Sequence, residues 1–115
     1  MNCYGLIMLK NLTPHIVAVV LADGSTRTLP SEGVARATET TETTEDVCGV
    51  PTSRVTRGEP VGLPAPQSGV WLVVSALAAS AAREAGRSTA DLLTPGALVR
   101  DEGGAVVGCR GFYRV

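Results

Sequence analysis

Ile16–Leu21 (IVAVVL) is an unbroken apolar run, rich in β-branched residues, with Pro14 before it and Asp23-Gly24 after it. A run of this length between turn signals reads as a buried strand. Asp23-Gly24 is a tight-turn dipeptide, so the alternating segment Ser25–Leu29 pairs back as a hairpin until Pro30 stops it. Val70–Val74 (VWLVV) is the most apolar strand of the chain and holds its only tryptophan. A chain with two such strands must bury sheet.

The remaining segments read around these two. Gly33–Thr38 places Val34, Arg36 and Thr38 on one face and reads as a half-exposed third strand. Glu39–Asp46 (ETTETTED) is acidic and threonine-rich, which suits either a solvated edge strand or a mobile loop. An apolar pattern restarts over Val47–Val55, interrupted by Pro51. Gly58–Gly69 alternates glycine and proline and is irregular, a loop laid over a core. Ser75 can cap an Ala-rich helix from Ala76 to about Ala85, closed by Gly86. Ala90–Leu93 reads as a short second helical turn, ended by Thr94-Pro95-Gly96. Ala97–Arg100 and Ala105–Arg110 close the chain as a hairpin around Asp101-Glu102-Gly103-Gly104. The expected fold is therefore α+β, a mainly antiparallel sheet with one helix and a second helical turn. At 115 residues it is read as one domain, 1–115. Residues 1–8 read as an upstream extension or a flexible N-terminus, with Met8 a second start.

Composition narrows the function classes. A hydrophobic share of 44% with 18% charged residues is that of a globular chain. Net charge of −1 argues against a general DNA or RNA binder, which needs phosphate neutralisation. Among the ten cationic side chains only Lys10 is lysine, and arginine's planar fork is the better bidentate phosphate ligand. Cys3, Cys48 and Cys109 are widely spaced and odd in number, which organises neither zinc nor a closed disulfide set. No apolar run is long enough to span a bilayer, and the first nine residues lack a cationic signal region. A cytoplasmic protein is expected.

Catalytic signatures are weak. His15 is the one general-base candidate, and a lone histidine after proline more often serves structure. Cys48 or Cys109 could pair with it only through the fold, and Cys109 sits mid-strand like a small core residue. Asp101-Glu102 lies at a hairpin tip, where adjacent acids are solvated turn residues. Walker, dinucleotide and zincin motifs are missing. No enzyme, no metal and no cofactor is expected.

Arg110-Gly111-Phe112-Tyr113-Arg114 is the segment with binding chemistry. On an unbroken strand, residues i and i+4 share a face. Arg110 and Arg114 would then project together with Phe112 between them, offering forks for phosphate and a plane for a base. The plainer reading is a solvated C-terminal strand.

Several fragments together carry a resemblance. They are Asn11-Leu12-Thr13-Pro14-His15, Leu29-Pro30, Gly33-Val34-Ala35-Arg36, Gly49-Val50-Pro51 and Gly62-Leu63-Pro64. The others are Val73-Val74-Ser75, Asp91-Leu92-Leu93-Thr94-Pro95-Gly96, Val99-Arg100-Asp101-Glu102 and Gly108-Cys109-Arg110. The set resembles a family of small phage and prophage proteins, itself similar to the first described type of phage anti-Thoeris sponge. That resemblance implies a non-enzymatic, oligomeric protein, a dimer or hexamer. It would sequester a cyclic ADP-ribose-type immune signal, and cyclic oligonucleotides at separate sites. It also implies that two C-terminal arginines four apart bind the signal, which fits Arg110 and Arg114. An aromatic holds the base, with Phe112, Tyr113 and Trp71 as candidates, and Arg100 joins the ligand-binding set. Two other readings compete: a small phage structural or protein-interaction domain, and a cyclic-nucleotide hydrolase using His15.

Overall fold

The computed structural model describes residues 7–115. Among these residues eight strands and one helix follow in chain order. Strands β1 (Met8–Asn11), β2 (Val17–Val20) and β3 (Thr26–Leu29) come first. Next come β4 (Glu39–Val47), β5 (Val50–Arg57) and β6 (Val70–Val73). Helix α1 (Ala76–Glu84), β7 (Leu92–Arg100) and β8 (Val106–Arg114) complete the chain.

Six strands form one sheet in the order β1-β6-β7-β8-β2-β3, and β4 pairs only with β5. The six-stranded sheet is mixed rather than mainly antiparallel. β1–β6, β6–β7 and β2–β8 are parallel, while β7–β8 and β2–β3 are antiparallel. Just past β3, Ser31 bridges Asn11 of β1 in parallel. The Glu32 N–H donates to the Asn11 carbonyl at 2.8 Å. The sheet's two ends thus meet, and it closes into a small barrel. One apolar cluster confirms the closure. Leu9, Val19, Leu29, Val73, Leu93 and Cys109 pack together, one from each of the six strands. A flat sheet of that width could not bring them to one point.

A second cluster lies between the barrel wall and α1. Leu72, Val74 and Leu92 meet Ala78, Ala79 and Ala82, with Leu12 and Ala35 beside them. Alanine on this helix face lets the helix axis approach the strands closely. Its ends form as expected. The Ser75 hydroxyl accepts from the Ala78 N–H at 3.2 Å, and Gly86 takes φ 81° just past the C-terminus. The Arg87 N–H then reaches back to the Ala82 carbonyl at 3.0 Å.

Four expectations change. Gly33–Thr38 is not a strand, because Arg36 makes one isolated antiparallel bridge to Val61 and Ala35 turns into the helix-side cluster. Ala90–Leu93 is not helical. Ser88 caps a single turn there, and Leu92 and Leu93 then enter β7 opposite Leu72 and Val73. Thr94-Pro95-Gly96 does not end an element but lies inside β7. Beyond Leu93 that strand has no β6 neighbour, so the N–H that proline lacks is not missed. Met8 belongs to β1, opposite Val70, while residues 1–6 of the expected extension lie outside the described residues.

Glu39–Asp46 is a strand, yet neither edge nor core of the barrel. β4 and β5 form a two-stranded arm joined by Cys48-Gly49, both at positive φ. The arm explains a radius of gyration of 17.6 Å, against about 13 Å for a compact chain of this size. Among the described residues no helix is long and apolar enough to cross a membrane.

Candidate functional site

Asn11 opens the first motif and is fully buried. Its Oδ1 accepts from the Thr13 N–H at 2.9 Å and the Thr13 hydroxyl at 2.6 Å. Its Nδ2 donates to the His15 and Leu29 carbonyls, each at 2.8 Å. The Asn-Leu-Thr-Pro-His motif is therefore a knot that ties the end of β1 to β3 at the barrel seam. His15 takes part through its carbonyl, and its side chain is exposed. Among the described residues no hydrogen bond joins the His15 ring to a hydroxyl, thiol or carboxylate. Cys48 lies at the arm tip and Cys109 is buried in the barrel.

The hairpin tip behaves as a turn. Asp101 Oδ1 accepts from the Gly103 and Ala105 N–H groups at 2.9 and 3.0 Å, closing its own loop. Arg100 donates to the Gly104 carbonyl at 2.8 Å in the same loop. Asp23 does likewise at its turn. The Ser25 hydroxyl and N–H hold its carboxyl below the ordinary carboxylate range. Among the described residues no three His, Cys, Asp or Glu side chains gather as a metal would require.

The C-terminal arginines do not share a face. Over Leu93–Val99 β7 pairs with β8 in constant register, Arg110 opposite Ala97 and Arg114 opposite Leu93. Between them Gly111 takes φ 60°, outside the strand region. Cys109 and Phe112, three apart, both pack into the barrel interior, so the alternation has slipped by one at Gly111. Arg110, flanking Cys109, faces outward, whereas Arg114, two past Phe112, lies on the inward side at the barrel's end. Phe112 is half-buried there as a core residue. Tyr113 is 56% exposed on the outer side, the side on which Val115 packs against the helix-side cluster. Arg100 sits at the far end of the hairpin, about 23 Å from the Arg114 level at 3.3 Å per residue. Among the described residues, Arg100 and Arg110 thus lie apart from Arg114, and Phe112 packs in the barrel.

What the structure does bring together is Arg114 and Trp71. The Arg114 guanidinium carbon lies 5.0 Å from the centre of the Trp71 ring. Trp71 is the second residue of β6 and is half-buried, aligned with Leu9 of β1. The guanidinium above it is exposed and has no carboxylate partner among the described residues. The guanidinium over the ring makes no other hydrogen bond or ion pair among the described residues, which sets its N–H donors beside an aromatic surface. No local signal pairs two residues so far apart in sequence; the resemblance offers Trp71 as one of three aromatic candidates and does not place it beside Arg114.

Arg87 and Asp91 form a polar cluster that sequence reading did not single out. They make a bidentate pair at 2.9 Å, and Arg87 also donates to the Pro64 and Ser88 carbonyls at 2.7 Å. Through its bonds to the Pro64 carbonyl, Arg87 fastens the glycine–proline segment to the turn after α1, where Asp91 and the Ser88 carbonyl hold it. Comparison with protein-family models, curated proteins and solved structures finds no match for this chain.

Proposed function

We propose that this protein is a non-enzymatic binding protein that sequesters a cyclic nucleotide signal of the cyclic ADP-ribose type. The observation that carries the reading is the Arg114 guanidinium placed over the Trp71 ring at one end of the barrel. A phosphate meets the fork and a base or ribose meets the exposed remainder of the ring. The resemblance to anti-Thoeris sponges assigns signal binding to C-terminal arginines, and Arg114 is the one with an aromatic partner. Because Arg110 faces the other way, a second cation would come from another copy in an oligomer, consistent with the net charge of −1. Capture without turnover would starve an anti-phage effector in the host cytoplasm. Cyclic oligonucleotides are a second ligand class for the same protein.

Calorimetric titration with cyclic ADP-ribose isomers and cyclic trinucleotides tests this. Arg114→Ala should weaken capture about 30-fold or more, since truncating a charge-assisted contact costs about 2–5 kcal/mol. Trp71→Ala should weaken it roughly 10-fold through lost stacking, and Arg114→Lys should restore only part. Equal binding by wild type and both alanine variants would place the ligand elsewhere.

A second reading, a small structural or protein-interaction domain, is favoured by the β4–β5 arm. Its residues are exposed on both faces except for the half-buried Thr44 and Thr52. A chain that takes up no nucleotide but binds a protein through this arm would fit that class.

A further inference from the structure

The end of the barrel that carries Trp71 is bordered by a third strand with a cation of its own. Antiparallel pairing sets Val17 opposite Leu29 and Val19 opposite Arg27. Directly paired residues share a face, and Val17, Val19 and Leu29 all pack in the interior cluster. Arg27 therefore projects on the inner side of β3, while Thr26 and Thr28 point outward. It is exposed, so its side chain leaves the interior through an open end instead of entering the core.

The seam identifies that end. Ser31 lies beside Asn11 in parallel, and Trp71 aligns with Leu9, two residues before Asn11. Arg27 stands four residues before Ser31, hence two residues beyond the Trp71 level toward the same opening. Two strand spacings and two residues of rise put the Arg27 and Trp71 backbones roughly 12 Å apart. Arg114 reaches this opening from β8, its guanidinium over the Trp71 ring. In the turns and strand ends that reach it, 21–25, 67–70 and 88–91, the acids are Asp23 and Asp91. The Asp23 carboxylate is taken by the Ser25 N–H and hydroxyl. The Asp91 carbonyl accepts from the Leu72 N–H beside Trp71, but its carboxylate is held by Arg87 in the bidentate pair. Among the described residues, the opening thus gathers two guanidinium groups and the Trp71 ring, with its carboxylates turned aside.

We propose that Arg27 and Arg114 together grip a pyrophosphate at this opening, with Trp71 against the attached base or ribose. The inference rests on the nucleotide capture proposed above and names its ligand chemistry: two phosphates joined through one oxygen. Two planar forks approaching from different strands match two adjacent phosphates, each offering oxygens for a bidentate contact. A lone phosphodiester needs only one fork, and phosphates a whole ribose apart do not suit a pair aimed at one point. Cyclic and linear ADP-ribose carry the joined arrangement, and cyclic trinucleotides the separated one. A cation from a second copy adds to this site rather than completing it. Neither the spacing of Arg110 and Arg114 nor the resemblance points to Arg27; the pairing of β2 with β3 does.

Calorimetric titration of the full chain with cyclic ADP-ribose isomers and linear ADP-ribose tests it. Arg27→Ala should weaken uptake at least about 10-fold. Arg27→Lys should regain only part, since a point charge does not reproduce the fork. Arg83→Ala, which removes one exposed positive charge from α1, should stay within about 2-fold of wild type, because solvent screens it. With both arginines on one group, Arg27→Ala combined with Arg114→Ala should lose less than the product of the two single losses. A merely structural Arg27 would instead lower the urea midpoint and multiply with Arg114→Ala. Wild-type uptake by Arg27→Ala beside weakened uptake by Arg114→Ala would overturn the proposal and leave nucleotide capture standing. An equal Arg27→Ala loss for a cyclic trinucleotide would overturn the choice of pyrophosphate. No uptake by wild type would overturn both readings.

Discussion

Gly111 decides what the two C-terminal arginines can do. Its φ of 60° moves every later side chain of β8 to the other face, parting Arg114 from Arg110. Spacing alone could not show this, because glycine is as compatible with a regular strand as with a left-handed residue within one. Opposite it, Gly96 fails for a different reason. A Cβ there would stand within 3 Å of the Arg110 and Gly111 carbonyl oxygens, whereas one on Gly111 would meet nothing within 4 Å. Gly111→Ala should therefore cost about 1–2 kcal/mol, the penalty of left-handed backbone. Gly96→Ala should cost about 3 kcal/mol, since backbone must move. Urea unfolding midpoints would rank them, and equal values would contradict the close backbone approach at Gly96. The Asn-Leu-Thr-Pro-His motif was visible as a motif, but not as a seam, since its bonds run to Leu29. Asn11→Asp would set a buried carboxylate against the Leu29 and His15 carbonyls. It should destabilise by about 3 kcal/mol or more. His15→Ala should change stability by about 0.5 kcal/mol or less, because only its backbone is used.

Elements with strong local patterns were legible: β2, β3, β6 and α1 fall close to their expected bounds. Those that depend on distant partners were not. Met8–Asn11 carries Lys10 and Asn11 and has no strand pattern of its own; it is extended because Val70–Val73 runs beside it. Leu92-Leu93 resembles a helical turn until both its faces are filled, one leucine in each apolar cluster. Conversely, Gly33–Thr38 alternates correctly but finds Val61 as its single partner. For Glu39–Asp46, strand and loop were both compatible with the residues, and cross-strand threonines decided for strand. The Thr44 and Thr52 hydroxyls meet at 2.8 Å, and Glu39 lies 3.8 Å from Arg57. The arm leaves the barrel where Thr38 and Gly58 already touch. Replacing residues 39–57 by a short Gly/Ser linker should alter barrel stability by less than about 1 kcal/mol. The melting temperature of that variant in dilute solution checks it, and a large fall would make the arm part of the barrel's own core.

The whole molecule combines a closed barrel, a helix on its wall and an arm that touches neither end of the barrel. Closure itself was beyond sequence reading, since it rests on parallel pairings between segments tens of residues apart, such as β1–β6 and β2–β8. It matters for function because it fixes two separate ends. One carries Arg114 over Trp71; the other opens as an apolar trough. Nucleotide capture at the first end is the central claim, and Trp71 is the chain's only tryptophan, so its emission reports that end alone. Full-length protein titrated with cyclic ADP-ribose isomers should show a saturable change in tryptophan fluorescence, abolished by Arg114→Ala. Heating the saturated complex should return the ligand with its mass unchanged. An emission spectrum indifferent to every cyclic nucleotide, or recovery of a cleaved product, would contradict the account.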